Sequence, residues 1–172
     1  LDLAVGRSKA AVRKAVENIP YNGGSTHTAE AVLAAVDDLS ANKRADAVQV
    51  VVLMNDGRSQ DHWSKVIAAG RALEQTGAKR FVVSLGSQSR EKLQPELAIY
   101  GGSQSRIYVN GESERFLNDV ESIAFGDCSG PVTSQPPSTC NYDFVVIMDV
   151  SDRSQDPLFE RQKSIALDLM GS

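Results

Sequence analysis

The sequence predicts an α/β fold in which a mostly parallel, doubly wound sheet carries helices on both faces, in three layers. Short apolar runs rich in Val, such as residues 50–54, alternate along the chain with amphipathic helical patterns. Strands that alternate with helices imply right-handed crossovers and a parallel sheet covered on both sides. The 172 residues, 41% of them hydrophobic, suffice for one sizeable core, or one core plus a fragment.

The first half of the chain supplies three helices and one strand. A helical pattern follows Ser8, which we expect to cap it. A Gly-containing polar loop leads into a second helix near Thr28, whose hydroxyl we interpret as a helix cap. Residues 47–54 read as a strand buried on both faces. Trp63 begins a third helix and lies on its apolar stripe, so we expect its side chain in the core. Gly77 suits the left-handed conformation that ends such a helix.

The following segment continues the alternation. Residues 81–85 read as a second buried strand, and residues 106–109 as a short strand. Between them, residues 91–100 look helical but irregular, because Pro95 sits inside the pattern. An amphipathic helix then ends near Gly126.

The C-terminal part departs from the usual order of such folds. Residues 142–150 predict a third buried strand, and Asp156 and Pro157 predict the start of a last helix, as cap and first-turn residue. A doubly wound domain normally begins with its central strand, and here the best candidate for that strand comes last.

Charge and cysteines narrow the class of protein. The formal net charge is −4 with scattered Lys and Arg, so no basic stripe suggests nucleic acid, and no apolar run suggests membrane insertion. Cys128 and Cys140 bracket a Ser- and Pro-rich segment. A disulfide there would suit an oxidising compartment, and two free thiols in a loop are the alternative.

Polar clusters follow the predicted strands at equivalent places. Asp56 follows the first strand, Asp149 and Ser151 end the last, and Thr26 lies in a loop just before a helix. Ligands of open parallel sheets bind at the carboxyl ends of the strands, so these residues should share one rim. Two carboxylates with hydroxyls suit a hard cation, foremost Mg²⁺, with Mn²⁺ or Ca²⁺ as alternatives. Asp56 in a simple Asp-Gly turn is the competing interpretation.

Three motifs together resemble a known family. The segments VVVLMNDGRSQD, GGSTHTAEAV and DFVVIMDVSDRS are similar to those of the von Willebrand factor type A domain, in its matrix-protein branch of matrilins and non-fibrillar collagens. The resemblance implies a Rossmann-like fold with a metal-ion-dependent adhesion site. Its implied ligands are Asp149 and Ser151 in the aspartate loop, Thr26 in the Gly-rich loop, and Asp56 after a later strand.

Two departures from the family pattern bear on this site. Arg153 stands at the third position of the aspartate loop, where a guanidinium repels a cation, although Ser154 could substitute if the loop bulges. The motif order is also permuted. We therefore divide the chain into residues 1–126, most of one domain lacking its first strand and helix, a linker at 127–141, and residues 142–172, a first strand and helix.

This division allows two explanations. In the first, the chain contains most of one tandem repeat followed by the beginning of the next. In the second, the chain is a permuted domain in which strand 142–150 fills the empty central position of the sheet. Because a central strand is costly to omit, we expect that position to be filled, in the same chain or by exchange in a strand-swapped homodimer. The site would then be composite.

The preferred function is an extracellular, secreted module that binds an acidic or collagen-like protein partner through its cation. A structural matrix module with a degraded site, favoured by Arg153, is the alternative. An enzyme with Asp149 as a nucleophile is disfavoured, because the sequence has no G-x-G-x-x-G motif, no phosphate-loop Lys and no evident general base.

Overall fold

The computed structural model describes residues 8–20, 24–55, 59–86, 89–92, 94–126, 141–150 and 157–169. Over these residues the helices are α1 (Lys9–Glu17), α2 (Thr28–Asn42), α3 (Trp63–Gln75), α4 (Pro95–Gly101), α5 (Ser113–Gly126) and α6 (Pro157–Leu169). The strands are β1 (Ala47–Asn55), β2 (Lys79–Ser84), β3 (Ile107–Val109) and β4 (Asn141–Met148). None of the helices in these ranges is long and apolar enough to cross a membrane.

The four strands form one parallel sheet in the order β3-β2-β1-β4. Parallel neighbours need long crossover connections, and the helices between successive strands supply them. The predicted parallel α/β sheet is therefore confirmed.

Each face of the sheet is covered by three helices. In β1, Val50, Val52 and Met54 pack into a core with residues of α1, α5 and α6, whereas Val51 and Leu53 pack on the other face with α2, α3 and α4. Successive side chains of a strand point to opposite faces, so a strand apolar at every position is buried on both. The predicted three-layer arrangement is confirmed.

Strand β4 lies beside β1 in the same chain. The two strands pair in parallel from Ala47 opposite Asn141 to Met54 opposite Met148. Within β4 only Asp143 is buried, and the other side chains are half-buried. The prediction that residues 142–150 form a fully buried strand is therefore wrong, because in the described part of the sheet β4 has a neighbour on one side only.

Two predicted helix starts are corrected by the structure. Residues 91–100 do not form one irregular helix: a 3-10 turn at Arg90–Lys92 precedes α4, which begins at Pro95. Proline is tolerated there because the first helical N–H has no intrahelical partner. The cap of α2 is His27, and Thr28 is instead its first residue and buried, so the prediction of Thr28 as the cap is wrong.

The burial of Trp63 also differs from the prediction. Its side chain is 51% exposed, so the prediction of a core position is wrong. The buried face of α3 is formed one turn further along, by Val66, Ala69, Gly70 and Leu73. Two other local predictions are confirmed: Ser8 caps α1 by accepting from the Ala11 N–H, and Gly77 has a left-handed φ of 72°.

Candidate functional site

The carboxyl ends of β1 and β4 meet at one edge of the sheet. Asp149 is the first residue beyond β4, and its N–H donates to the carbonyl of Met54 at 3.0 Å, extending the pairing of the two strands by one step. Asn55, the last residue of β1, donates from Nδ2 to Asp149 Oδ2 at 3.4 Å. The strand ends thus place the Asp149 carboxylate at the rim.

The loop before α2 brings a hydroxyl to the same carboxylate. Thr26 Oγ1 donates to Asp149 Oδ2 at 3.5 Å, across 123 residues of sequence. The Thr26 carbonyl accepts from the Gln60 N–H at 2.8 Å, which ties this loop to the segment following β1. The fold therefore joins two of the four predicted ligand residues.

The other two predicted ligands, Asp56 and Ser151, lie outside the described residues. The same holds for Arg153 and for Cys128 and Cys140 of the expected disulfide. The described part of the site therefore consists of Thr26, Asn55 and Asp149 and the residues that hydrogen-bond to them.

A cavity of about 230 Å³ opens at this rim, between the ends of β1 and β4 and the loop of residues 25–28. Thr26, Asn55 and Asp149 line it beside the apolar Leu53 and Ile147. The space accommodates one partner side chain.

The donor set determines which cations could bind. Within the described ranges no group of three or more His, Cys, Asp or Glu residues converges to hold a metal. A cation at the rim would therefore rely on a mixed set that includes the Thr26 hydroxyl and the Asp149 carboxylate, both hard oxygen ligands. Neighbouring ligands of an octahedral magnesium ion lie about 3.0 Å apart, given Mg–O distances of about 2.1 Å. The observed 3.5 Å between the two oxygens fits such a pair after a small adjustment.

Two buried carboxylates hydrogen-bond to the segments that lead into the rim. Asp61, whose side chain is 1% exposed, accepts from the Ala29 N–H at 2.8 Å and lies 3.7 Å from His27 Nδ1. Glu96 accepts from the N–H of Ser59 at 3.0 Å and from its hydroxyl at 2.5 Å. Together these contacts fix the segment after β1 against the start of α2 and against α4.

The same carboxylates make the region electrostatically negative. Burial raises the pKa of Tyr100, and the neighbouring charges of Glu96 and Asp61 raise it further. A buried phenol beside two carboxylates stays neutral at physiological pH, so it adds no charge of its own.

Sequence reasoning missed the supporting residues. Asp61, Glu96 and the buried Gln162, which donates to the Asp149 carbonyl at 3.0 Å, act through partners 13 to 37 residues away. The available signal was weak: an Asp just before a helix suggests capping, but Asp61 caps the neighbouring helix α2 rather than its own.

The family model for the von Willebrand factor type A domain matches residues 1–122 of this sequence. The chain belongs to that family. The match includes Thr26 and Asn55 of a type A domain but ends before β4, so Asp149 lies beyond the matched residues. The family resemblance predicted from three motifs is confirmed.

Curated relatives of this type A domain chain are collagens and a protein named for the domain. The chain is 33% identical over 95 residues to the human collagen alpha-1(XXI) chain, covering 55% of this chain and 9% of the relative. It is 24% identical to the collagen alpha-1(XII) chain of Notophthalmus viridescens, covering 77% and 14%. It is 28% identical to mouse von Willebrand factor A domain-containing protein 2, covering 80% and 17%.

The chain thus spans less than a fifth of each of these relatives, at 9%, 14% and 17% of their lengths. No solved structure matches it. The matrix-type branch predicted for the domain agrees with the collagen relatives.

Proposed function

We propose that this chain is an extracellular protein-binding module that holds a divalent cation at the rim of β1 and β4. The cation is Mg²⁺, or Mn²⁺ or Ca²⁺ in its place. Asp149 and Thr26 are its ligands among the described residues, with Asp56 and Ser151 completing the set that the family resemblance implies. The partner is a matrix or cell-surface protein that offers a carboxylate.

One observation carries this proposal. The fold places the Thr26 hydroxyl and the Asp149 carboxylate 3.5 Å apart, although 123 residues separate them. The two belong to two of the three motifs that the family resemblance assigns to a metal site. A hydroxyl and a carboxylate that meet at a cavity on a strand-end rim suit ligand binding better than core packing.

The chemistry of the ligands favours binding over catalysis. Hydroxyl ligands add no charge, so a bound divalent cation keeps positive character and can accept a carboxylate from a partner. That step forms one coordinate bond and breaks no covalent bond in either protein. The chain's own residues have only to hold the cation and leave the rim open.

The collagen relatives support the location and the kind of partner. Chains named as collagens belong to the extracellular matrix, and we extend that location to this module. The same relatives favour a matrix protein as the partner. A structural module with a degraded site is the second candidate, and Arg153 in the aspartate loop is the observation that favours it.

Isothermal titration of Mn²⁺ and Mg²⁺ into metal-stripped protein tests the proposal. We expect saturable binding that Asp149→Ala abolishes, because the variant loses the charged ligand, and that Thr26→Ala weakens by roughly tenfold or more. Asp37→Ala is the matched control, since it removes an exposed carboxylate from α2, nine residues beyond Thr28.

Three outcomes are distinguishable. Binding that is lost in Asp149→Ala and kept in Asp37→Ala supports the cation site. Equal binding by all variants places the cation elsewhere and contradicts the assignment. No binding by the unmodified chain supports the structural module.

A further inference from the structure

Gln162 is a fully buried polar residue in an otherwise apolar helix face. Its side chain is 0% exposed, and the other buried residues of α6 are Phe159, Ile165 and Ala166. The Nε2 amide donates to the main-chain carbonyl of Asp149 at 3.0 Å. Its Oε1 atom is buried and has no hydrogen-bond partner among the described residues.

This arrangement has a cost that core packing alone does not justify. A buried amide oxygen without a hydrogen bond destabilises a fold by about 1–3 kcal/mol. A leucine would occupy a similar volume in α6 without any polar atom to desolvate. Among the described residues, the hydrogen bond to the Asp149 carbonyl is the interaction that distinguishes a glutamine from a leucine at this position.

The contact acts at the edge of the described sheet. Over the described residues β1 and β4 pair as far as Met54 opposite Met148, and the Asp149 N–H donates to the Met54 carbonyl. The Asp149 carbonyl accepts from Gln162 of α6. Its peptide units are therefore held from two sides, and their orientation sets where the carboxylate points.

We propose that Gln162 is a positioning residue that fixes the main chain of Asp149, so that the carboxylate stays directed at Thr26 across the rim. For its effect on cation affinity the proposal rests on the proposed function. Because Gln162 belongs to α6, any displacement of this helix against the sheet is transmitted to the carboxylate.

Replacement by leucine separates positioning from packing. In Gln162→Leu we expect the free energy of unfolding of the metal-free protein to change by less than about 1 kcal/mol, because removal of an amide oxygen that lacks a partner among the described residues offsets loss of the hydrogen bond to the Asp149 carbonyl. We expect Mn²⁺ affinity to fall by about 10- to 100-fold, as for other residues that orient a metal ligand. Urea denaturation and calorimetric titration measure the two quantities.

Ile165→Val is the matched control. It removes one methylene from the same buried face of α6, so stability should fall while Mn²⁺ affinity stays unchanged. A merely structural glutamine would behave like this control. Lower stability with unaltered affinity in Gln162→Leu would overturn the proposal.

Amide hydrogen exchange in the absence of metal tests the positioning even if the chain binds no cation. We expect the Asp149 amide to exchange at least about tenfold faster in Gln162→Leu, with the Val145 amide, which faces β1 inside β4, unchanged. Failure of Mn²⁺ to bind the unmodified chain would contradict the proposed function alone. Unchanged hydrogen exchange at the Asp149 amide would contradict the positioning role of Gln162, whatever the outcome of the Mn²⁺ titration.

Discussion

Gly70 allows α3 to lie close against α4. A methyl group added at Gly70 would overlap the Cγ2 methyl of Ile99. Overpacking costs about 1–3 kcal/mol, and alanine gains roughly 1 kcal/mol within a helix, so we predict that Gly70→Ala lowers the free energy of unfolding by up to about 2 kcal/mol. Urea denaturation of the purified variant measures this change.

A double-mutant cycle identifies the cause. Ile99→Ala removes the methyl group that Gly70→Ala would meet, so the double variant should lose less stability than the sum of the single variants. Strict additivity would show that the overlap with Ile99 is not the source of the loss.

At the residue scale, the motif residues could be predicted from the sequence, but the residues that hydrogen-bond to them could not. Thr26 and Asp149 follow from loop and strand-end patterns, which are local in sequence. Gln162 reads as an ordinary position on a helix, and its role depends on the carbonyl that α6 meets after docking on the sheet. Asp61 likewise caps a helix that begins 33 residues before it, a partnership that no local pattern encodes.

The start of α5 is held by a carboxylate with several partners. Glu112, immediately before the helix, accepts from the Val109 N–H at 2.8 Å, from Arg90 Nη2 at 3.1 Å and from Arg115 Nη1 at 3.3 Å. Burial raises the pKa of Glu112, but the hydrogen bonds and the two positive charges outweigh burial and lower the pKa below its usual value of 4.5. The ionised form therefore joins β3 to α5.

A lowered pKa gives this element a defined pH dependence. Stability from ionised Glu112 is fully present above the usual pKa of 4.5 and is lost as the pH falls through the lowered folded value. We predict that Glu112→Gln lowers the free energy of unfolding by about 1 kcal/mol at pH 7, the solvent-screened value for a partly exposed pair. The difference from the unmodified protein should shrink below about pH 4.

Thermal unfolding between pH 3 and pH 7 measures this difference. Glu114→Gln, at an exposed position of the same helix turn, is the control and should show no such trend. A constant difference across the whole pH range would argue against the ionised carboxylate.

Among the elements, those with a long and unbroken pattern could be predicted closely. β1 runs from Ala47 to Asn55, one residue beyond the predicted strand, because apolar side chains at nearly every position suit only a strand between two helical layers. β4 carries a similar pattern, yet all of its side chains except that of Asp143 are half-buried. Apolar periodicity reports the faces of a strand but not how many neighbours lie beside it.

The position of β4 decides how the whole domain is assembled. The family match ends at residue 122, and β4 and α6 follow it across a linker that the sequence makes 14 residues long between Gly126 and Asn141. A connection of this length keeps β4 at a high effective concentration near its own β1, which favours docking within one chain over exchange between copies. The tandem-repeat and permutation explanations, and the strand-swapped homodimer, remain predictions.

A polar anchor fastens the beginning of β4 to the turn before β1. Asp143, with a side chain 6% exposed, accepts from Arg44 N at 2.7 Å and Arg44 Nε at 2.8 Å. Arg44 Nη2 also donates to the Tyr142 carbonyl at 2.6 Å. These hydrogen bonds satisfy the buried carboxylate of Asp143. Loss of that carboxylate would also leave the Arg44 backbone N–H without this acceptor.

Asp143→Ala should therefore lower the free energy of unfolding by about 2 kcal/mol, less than for a wholly buried pair because Arg44 is 43% exposed. The single tryptophan, Trp63, lies at the start of α3 and outside β4, so its fluorescence reports unfolding of the rest of the domain. If β4 is an integral strand, the Trp63 transition and the loss of helical circular dichroism shift together to lower urea. An unshifted Trp63 transition would mean that β4 unfolds as a separate unit.

Light scattering on the same samples then distinguishes docking in one chain, which gives the mass of a monomer, from strand exchange, which gives twice that mass.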